Sequence, residues 1–205
     1  MMTNQHNRAI YRRWAPFYDR LSDLVFARGR ERAMALCDLQ PGERVLVVGV
    51  GTGADLPLLP RGVRAVGVDL SPEMLARARS KLPLPGREVE LIQGDAEDPP
   101  VPHGTFDAAL LNLILTVVPD GARCLAATLD RLKPGGRAVV FDKFVADGAA
   151  PGLFRRALGV GVAWFGTDIN RRFGDLVAGL GCLVERDEPS LLGGAYRVIV
   201  LRKRG

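Results

Sequence analysis

The stretch from Arg44 to Ala54, RVLVVGVGTGA, constrains this chain more than any other. Four apolar residues, Val45 to Val48, run without alternation, the pattern of a parallel strand covered on both faces. The run then breaks into Gly49, Gly51 and Gly53, with Thr52 between the last two. Glycines at the carboxyl end of a strand permit a sharp turn and let backbone approach a ligand closely. Asp69 stands twenty residues after Gly49, at the end of a second apolar run, Ala65 to Val68. An acid there can accept hydrogen bonds from both ribose hydroxyls of an adenosine. The glycines alone are equally consistent with a turn that binds nothing; the acid at this spacing favours a nucleotide.

Gly49, Gly51 and Ala54 satisfy a loose dinucleotide pattern. The tighter reading is Gly-x-Gly-x-Gly, closing at Gly53. Pro57 and Pro60 follow at once. Proline removes donors from a helix interior, so a long helix carrying a pyrophosphate on its N-terminus is disfavoured. S-adenosylmethionine fits better, with an adenosine and a charged amino-acid tail but no phosphate.

The chain continues in alternating units. Strands are expected at Arg44–Val48, Ala65–Asp69, Glu88–Gln93, Phe106–Leu113 and Arg137–Phe144. Ser71, Pro72 and Glu73 form a helix start, as N-cap, first helical residue and first-turn acid. Ala122, Leu125, Leu129 and Leu132 make a second helical stripe, ended by Lys133-Pro134-Gly135-Gly136. Closing strands are expected near Leu183–Arg186 and Tyr196–Arg202, around the turn Gly193-Gly194.

VLVVGVGTG, AVGVDLSPEML, IQGDAEDPP, FDAALLNLIL and LKPGGRAVV resemble, in order, the signature blocks of class I S-adenosylmethionine-dependent methyltransferases. Together they cover about two-thirds of the chain. The resemblance implies an α/β, Rossmann-like three-layer sandwich. Its mostly parallel, seven-stranded sheet would carry a C-terminal antiparallel hairpin and an N-terminal helical lid. It implies one methyltransferase domain over 1–205, with residues 1–40 as lid and 41–205 as core. The implied cofactor is S-adenosyl-L-methionine, leaving as S-adenosyl-L-homocysteine, with no metal. The implied contacts are Gly49, Gly51, Thr52, Gly53 and Asp69, then Leu70 and Met74 near the adenosine. Gly94, Asp95 and Ala96 would meet the adenine, and Asn112 would lie between cofactor and methyl acceptor. The family often carries an acid two places before the first glycine; this chain has Val47 there.

The spacing Tyr11, Trp14, Ala15, Tyr18, Asp19 resembles the opening of quinone C-methyltransferases and bacterial phosphatidylethanolamine N-methyltransferases. By that resemblance Tyr11 and Tyr18 would contact the methionine tail. Between residues 8 and 32 stand seven Arg against three acids. Such a segment is a solvated helix pair packed beside the sheet, a lid over the cofactor, or a patch for anionic lipid. Leu153 to Phe165 presents a broad apolar face, as core or as an acceptor pocket. Asp168, Asn170 and Arg171 are candidate acceptor-site residues, and Asp142 and Lys143 could assist proton loss by position alone.

Composition narrows the partners. The formal net charge of +5 suits anionic partners without naming one. Cys37, Cys124 and Cys182 are far apart and form no CxxC pair, so small buried hydrophobes are expected rather than zinc ligands. No apolar run reaches the roughly 18 residues of a membrane span, and no signal peptide is evident. A cytoplasmic chain with a small-molecule or lipid acceptor is expected, touching a membrane peripherally if at all. No protein partner is implied. Two rival classes fare worse. A nicotinamide-dependent oxidoreductase needs a regular helix after the glycines and a recognisable proton donor. A nucleic-acid-modifying protein is not expected, because aromatics do not interleave the basic patches and the Asn-Pro-Pro-Tyr motif of base N-methylation is missing.

Overall fold

The computed structural model describes residues 25–145 and 171–205. Seven strands form one sheet: β1 (Arg44–Val48), β2 (Arg64–Asp69), β3 (Glu88–Gln93), β4 (Phe106–Asn112), β5 (Leu132–Lys143), β6 (Cys182–Pro189) and β7 (Tyr196–Lys203). Their spatial order is β3-β2-β1-β4-β5-β7-β6. The first five pair in parallel, whereas β7 runs antiparallel to both β5 and β6. Chain order reverses direction between β1 and β4, which makes their carboxyl ends the switch point of the sheet.

The unbroken apolar runs have the physical cause expected of them: both faces of the sheet are covered. Val45 and Val47 enter one core with Ala33, Met34 and Cys37 of the helix over residues 25–37 (α1). The same core takes Leu75 and Ala78 of α2 (Pro72–Arg79). Leu46 and Val48 enter the opposite core, with Leu125 and Leu129 of α3 (Gly121–Arg131) and Phe173 and Leu176 of α4 (Phe173–Val177). Helix, sheet and helix thus form three layers. Cys37 and Cys124 are fully buried, as expected of small hydrophobes. Burial pushes the Cys37 thiol up to about 12, so it stays protonated.

Several boundaries differ from the sequence reading. β5 begins at Leu132, since Leu132 pairs with Phe106 before a register shift restores pairing at Arg137. The Lys-Pro-Gly-Gly stretch is therefore an irregularity within the strand. β6 reaches Pro189 because ladder bonds to β7 hold it, although most of its residues are exposed at the sheet edge. Phe173, two residues beyond the candidate Arg171, is buried, with its ring 5.1 Å from that of Phe144. Of the residues assigned to a lid, 25–37 lie on the sheet as α1, while 1–24 fall outside the described residues.

Candidate active site

The loop after β1 is built by its glycines. Gly49, Gly51 and Gly53 have φ of 69°, 56° and 77°, left-handed conformations that side chains rarely adopt. The amide of Gly49 donates to the Val68 carbonyl at 2.8 Å, and that of Val50 donates to the same oxygen at 3.0 Å, so the turn folds back over β2. At Gly53 a Cβ would come within 2.9 Å of the Leu56 side chain and 3.1 Å of Ala78, so the glycine lets α2 pack beneath the loop. At Gly51 nothing lies nearer to such a Cβ than the Gly49 carbonyl, at 3.9 Å. The loop is therefore closed on its core side and open above Gly51. Instead of a long helix, only one turn of 3-10 helix follows, Leu56–Leu58, as the prolines required.

Asp69 ends β2 and ties the loop to α2. Its Oδ2 accepts from the Gly51 amide at 2.8 Å and its Oδ1 from the Ser71 amide at 2.9 Å. Burial pushes its carboxyl above the ordinary 3.8, while the amides of Ser71, Gly51 and Leu70 pull the other way. The two carboxylate oxygens, with about four lone-pair directions between them, keep acceptor capacity beyond these amides. Ser71 caps α2, its hydroxyl accepting from the Met74 amide at 3.2 Å. Leu70 and Met74, both half-buried, are thereby held beside the end of β2.

The next strand end contributes Gly94, whose amide donates to the Asp69 carbonyl at 3.0 Å. Asp95 folds into a tight turn, accepting from the Glu97 amide at 2.9 Å, and Ala96 is buried beside it. Asn112 ends β4, 6% exposed, and its Nδ2 donates to Asp55 Oδ1 at 3.0 Å. The chain then leaves through Leu113 at φ 60°, a conformation uncommon for leucine. Gly49, Gly51, Thr52, Gly53, Asp69, Leu70, Met74, Gly94, Asp95, Ala96 and Asn112 thus gather along the carboxyl edge of β1, β2, β3 and β4. Tyr11, Tyr18, the Leu153–Phe165 segment, Asp168 and Asn170 lie outside the described residues.

Two polar residues read as acceptor-site or proton-handling groups have other work. Asp142 is completely buried, and burial pushes its carboxyl up. It accepts from the Thr116 hydroxyl at 2.7 Å, the Thr116 amide at 3.0 Å and the Lys143 amide at 2.8 Å. Arg171 donates to the carbonyls of Leu115, Val118 and Pro119, the last two at 2.7 Å. Both side chains hold the 113–120 loop that follows β4. Conversely, sequence reasoning passed over Arg30 and Asp55. Arg30 Nη1 reaches both oxygens of Asp55 at 2.9 Å, with the Asp55 side chain 3% exposed. Only the tertiary fold brings these residues together, so no local spacing marked them.

This sheet order, with a glycine loop at its switch point, is the Rossmann-like fold of class I methyltransferases. A family model described as a methyltransferase domain matches residues 46–140. A phosphatidylethanolamine N-methyltransferase of Cereibacter sphaeroides is 38% identical over 150 residues, covering 72% of this chain and 73% of that one. A demethylmenaquinone methyltransferase of Thermus thermophilus is 37% identical over 136 residues, covering 62% of this chain and 61% of its own length. Among solved structures, an S-adenosylmethionine-dependent methyltransferase from Thermotoga maritima superimposes with a TM-score of 0.70 at 24% identity, covering 97% of this chain and all of that one. The chain belongs to the S-adenosylmethionine-dependent methyltransferase family and is an enzyme of that class.

Proposed function

We propose that the carboxyl edge of β1 to β4 binds S-adenosylmethionine and that the enzyme transfers its methyl group to an amphiphilic, lipid-like acceptor. The observation that carries the cofactor reading is the pairing of the open glycine loop with Asp69. The site fits the group: space above Gly51 admits a ligand against bare backbone, and Asp69 keeps lone pairs for ribose hydroxyls. Leu70, Met74 and Ala96 offer apolar surface to an adenine, and Asp95 offers an acceptor to its amino group. When bound, the cofactor supplies a methyl group on sulfur that is already a good electrophile. The protein's task is then to align the acceptor and keep water out. Asp142 is engaged by three donors, so it acts by fixing the loop beside the acceptor rather than by taking a proton from it.

For the acceptor, phosphatidylethanolamine is the first candidate and a quinone precursor the second. Support comes from the names of the two relatives and from the basic N-terminal sequence. Arg side chains near an anionic bilayer contribute on the order of 1 kcal/mol each. Among the described residues no helix is long and apolar enough to cross a membrane, so contact would be peripheral. The test combines two measurements. Labelled S-adenosylmethionine is incubated with the enzyme and phosphatidylethanolamine vesicles containing anionic lipid, and sedimentation follows vesicle binding at low and high salt. Salt-sensitive sedimentation with label in the lipid fraction is expected. No vesicle binding, with label appearing only in soluble metabolites, would contradict the lipid reading.

A further inference from the structure

The hairpin of β6 and β7 carries an apolar tip that the site described above does not use. Tyr196 opens β7 and pairs with Lys143 at the end of β5. The turn before it therefore lies on the carboxyl edge of the sheet, the edge that bears the glycine loop and Asp69. Residues 189–195 read PSLLGGA, without a charge. Backbone bonds close the turn: the amides of Gly194 and Tyr196 both donate to the Leu191 carbonyl at 3.2 Å, and that of Ser190 donates to the Tyr196 carbonyl at 2.8 Å. Its two leucines part company. Leu191 packs against the core that also takes Phe26 and Tyr196, whose rings are 5.2 Å apart. Leu192 is 79% exposed, more than any other large hydrophobe among the described residues. Its φ is 51°. That left-handed backbone suits glycine or asparagine and is uncommon for leucine. A lone exposed leucine needs no explanation; one held in this conformation, on this edge, does.

The charges behind the tip say what it meets. Glu188 is shared by two arginines: Arg32 of α1 donates to it through Nε and Nη2, both at 2.9 Å, and Arg186 through Nη1 at 2.7 Å. Asp187 is matched by Arg197, whose Nε donates to it at 2.8 Å. Each acid flanking the tip thus has an arginine, with one arginine to spare. Val25, 48% exposed at the start of α1 and next to Phe26, adds apolar surface at the same corner. One leucine and one valine fall far short of the about 800 Å² per partner that a stable protein interface buries. A bilayer has no such threshold. It takes single apolar side chains into the acyl boundary while cations behind them meet anionic headgroups.

We propose that the tip of the β6–β7 hairpin, led by Leu192, docks the enzyme on an anionic lipid bilayer. Leu192 enters the acyl boundary, and the excess arginine charge behind it faces the phosphates. The closed turn holds the leucine outward in advance, so docking orders no loop. Contact at this point sets the carboxyl edge of the sheet against the headgroups, where an amphiphilic acceptor is presented. The proposal rests on the lipid-acceptor reading given above and adds the element that makes the contact.

The test is sedimentation of the full chain with vesicles of phosphatidylethanolamine and phosphatidylglycerol in equal parts, for the natural protein, Leu192→Asn and Leu183→Thr. Asparagine removes the apolar side chain and suits the left-handed backbone better than leucine. Leu192→Asn is expected to lower vesicle partitioning about tenfold, the scale of one leucine returned to water. Its urea midpoint should be unchanged or raised. Leu183→Thr is the control: it removes a side chain 49% exposed at the other end of β6, where Leu183 pairs with Arg202 near the amino edge, and keeps strand preference. It should leave partitioning unchanged. Undiminished partitioning of Leu192→Asn, or equal losses in both variants, would overturn the docking tip. A lowered urea midpoint for Leu192→Asn would overturn it too, by showing that the protein's own chain covers the leucine. If the natural protein ignores the vesicles yet methylates phosphatidylethanolamine presented in detergent, the tip falls and the lipid-acceptor reading stands. Label in soluble metabolites alone would overturn both.

Discussion

Asp69 stands at the end of β2, where the sequence places it, and its chemistry has a consequence in pH. Its carboxyl titrates above the ordinary 3.8 because burial penalises the charge more than the surrounding amides relieve it. Between 3.8 and the raised value the folded chain holds a proton that the unfolded chain has released. That shift favours the folded state as pH falls through this window. Accepting from ribose hydroxyls needs the ionised form, so cofactor affinity moves in the opposite sense. S-adenosylhomocysteine binding should weaken on acidification at a pH above that of an ordinary aspartate, and Asp69→Asn should flatten the profile. An identical pH profile in the variant would assign the titration to another group. At neutral pH Asp69→Ala should weaken binding by about 1–3 kcal/mol, as for lost charge-assisted hydrogen bonds. Asp69 was legible because strand, glycines and acid fall within one short span. Arg30 and Asp55 were not, because their pairing spans 25 residues and two elements.

At the scale of elements, the loop between β4 and α3 shows where sequence reasoning lost information. Asn112 at the strand end could be placed, but the means of holding residues 113–120 could not. Asp142 fixes the loop through Thr116, and Arg171 gathers three of its carbonyls. Ile114 of the same loop packs where a side chain on Gly49 would otherwise lie, 2.6 Å from that Cβ position. The two sides of the site therefore interlock. Arg171 looked like an acceptor ligand because an arginine among polar residues carries no sign of which backbone it will meet. Arg171→Met should destabilise the protein by about 1–3 kcal/mol, through carbonyls left without donors. The urea midpoint reads this directly, and an unchanged midpoint would show that the carbonyls find other donors. Helix α2 was easier to foresee, since Ser71 caps it as its sequence signature required.

For the whole molecule, the sheet was readable because a doubly covered parallel sheet demands unbroken apolar strands, and four such runs stand in the sequence, in β1, β2, β4 and β5. The two cores on its faces follow from side-chain alternation along each run, as Val45 and Leu46 show by entering opposite ones. The edge strand β6 was foreshortened in the sequence reading because Asp187, Glu188 and Pro189, which follow Arg186, carry no apolar signal. Hydrogen bonds to β7 define it instead. A fold of this kind does not by itself fix a reaction. What joins the architecture to chemistry is the claim that the edge of β1 to β4 receives an adenosine bearing an amino acid rather than a pyrophosphate. The most direct measurement is calorimetric titration of the purified chain with S-adenosylhomocysteine and, separately, with NAD. Saturable binding of S-adenosylhomocysteine and none of NAD is the predicted result; binding of NAD with no response to S-adenosylhomocysteine would contradict it.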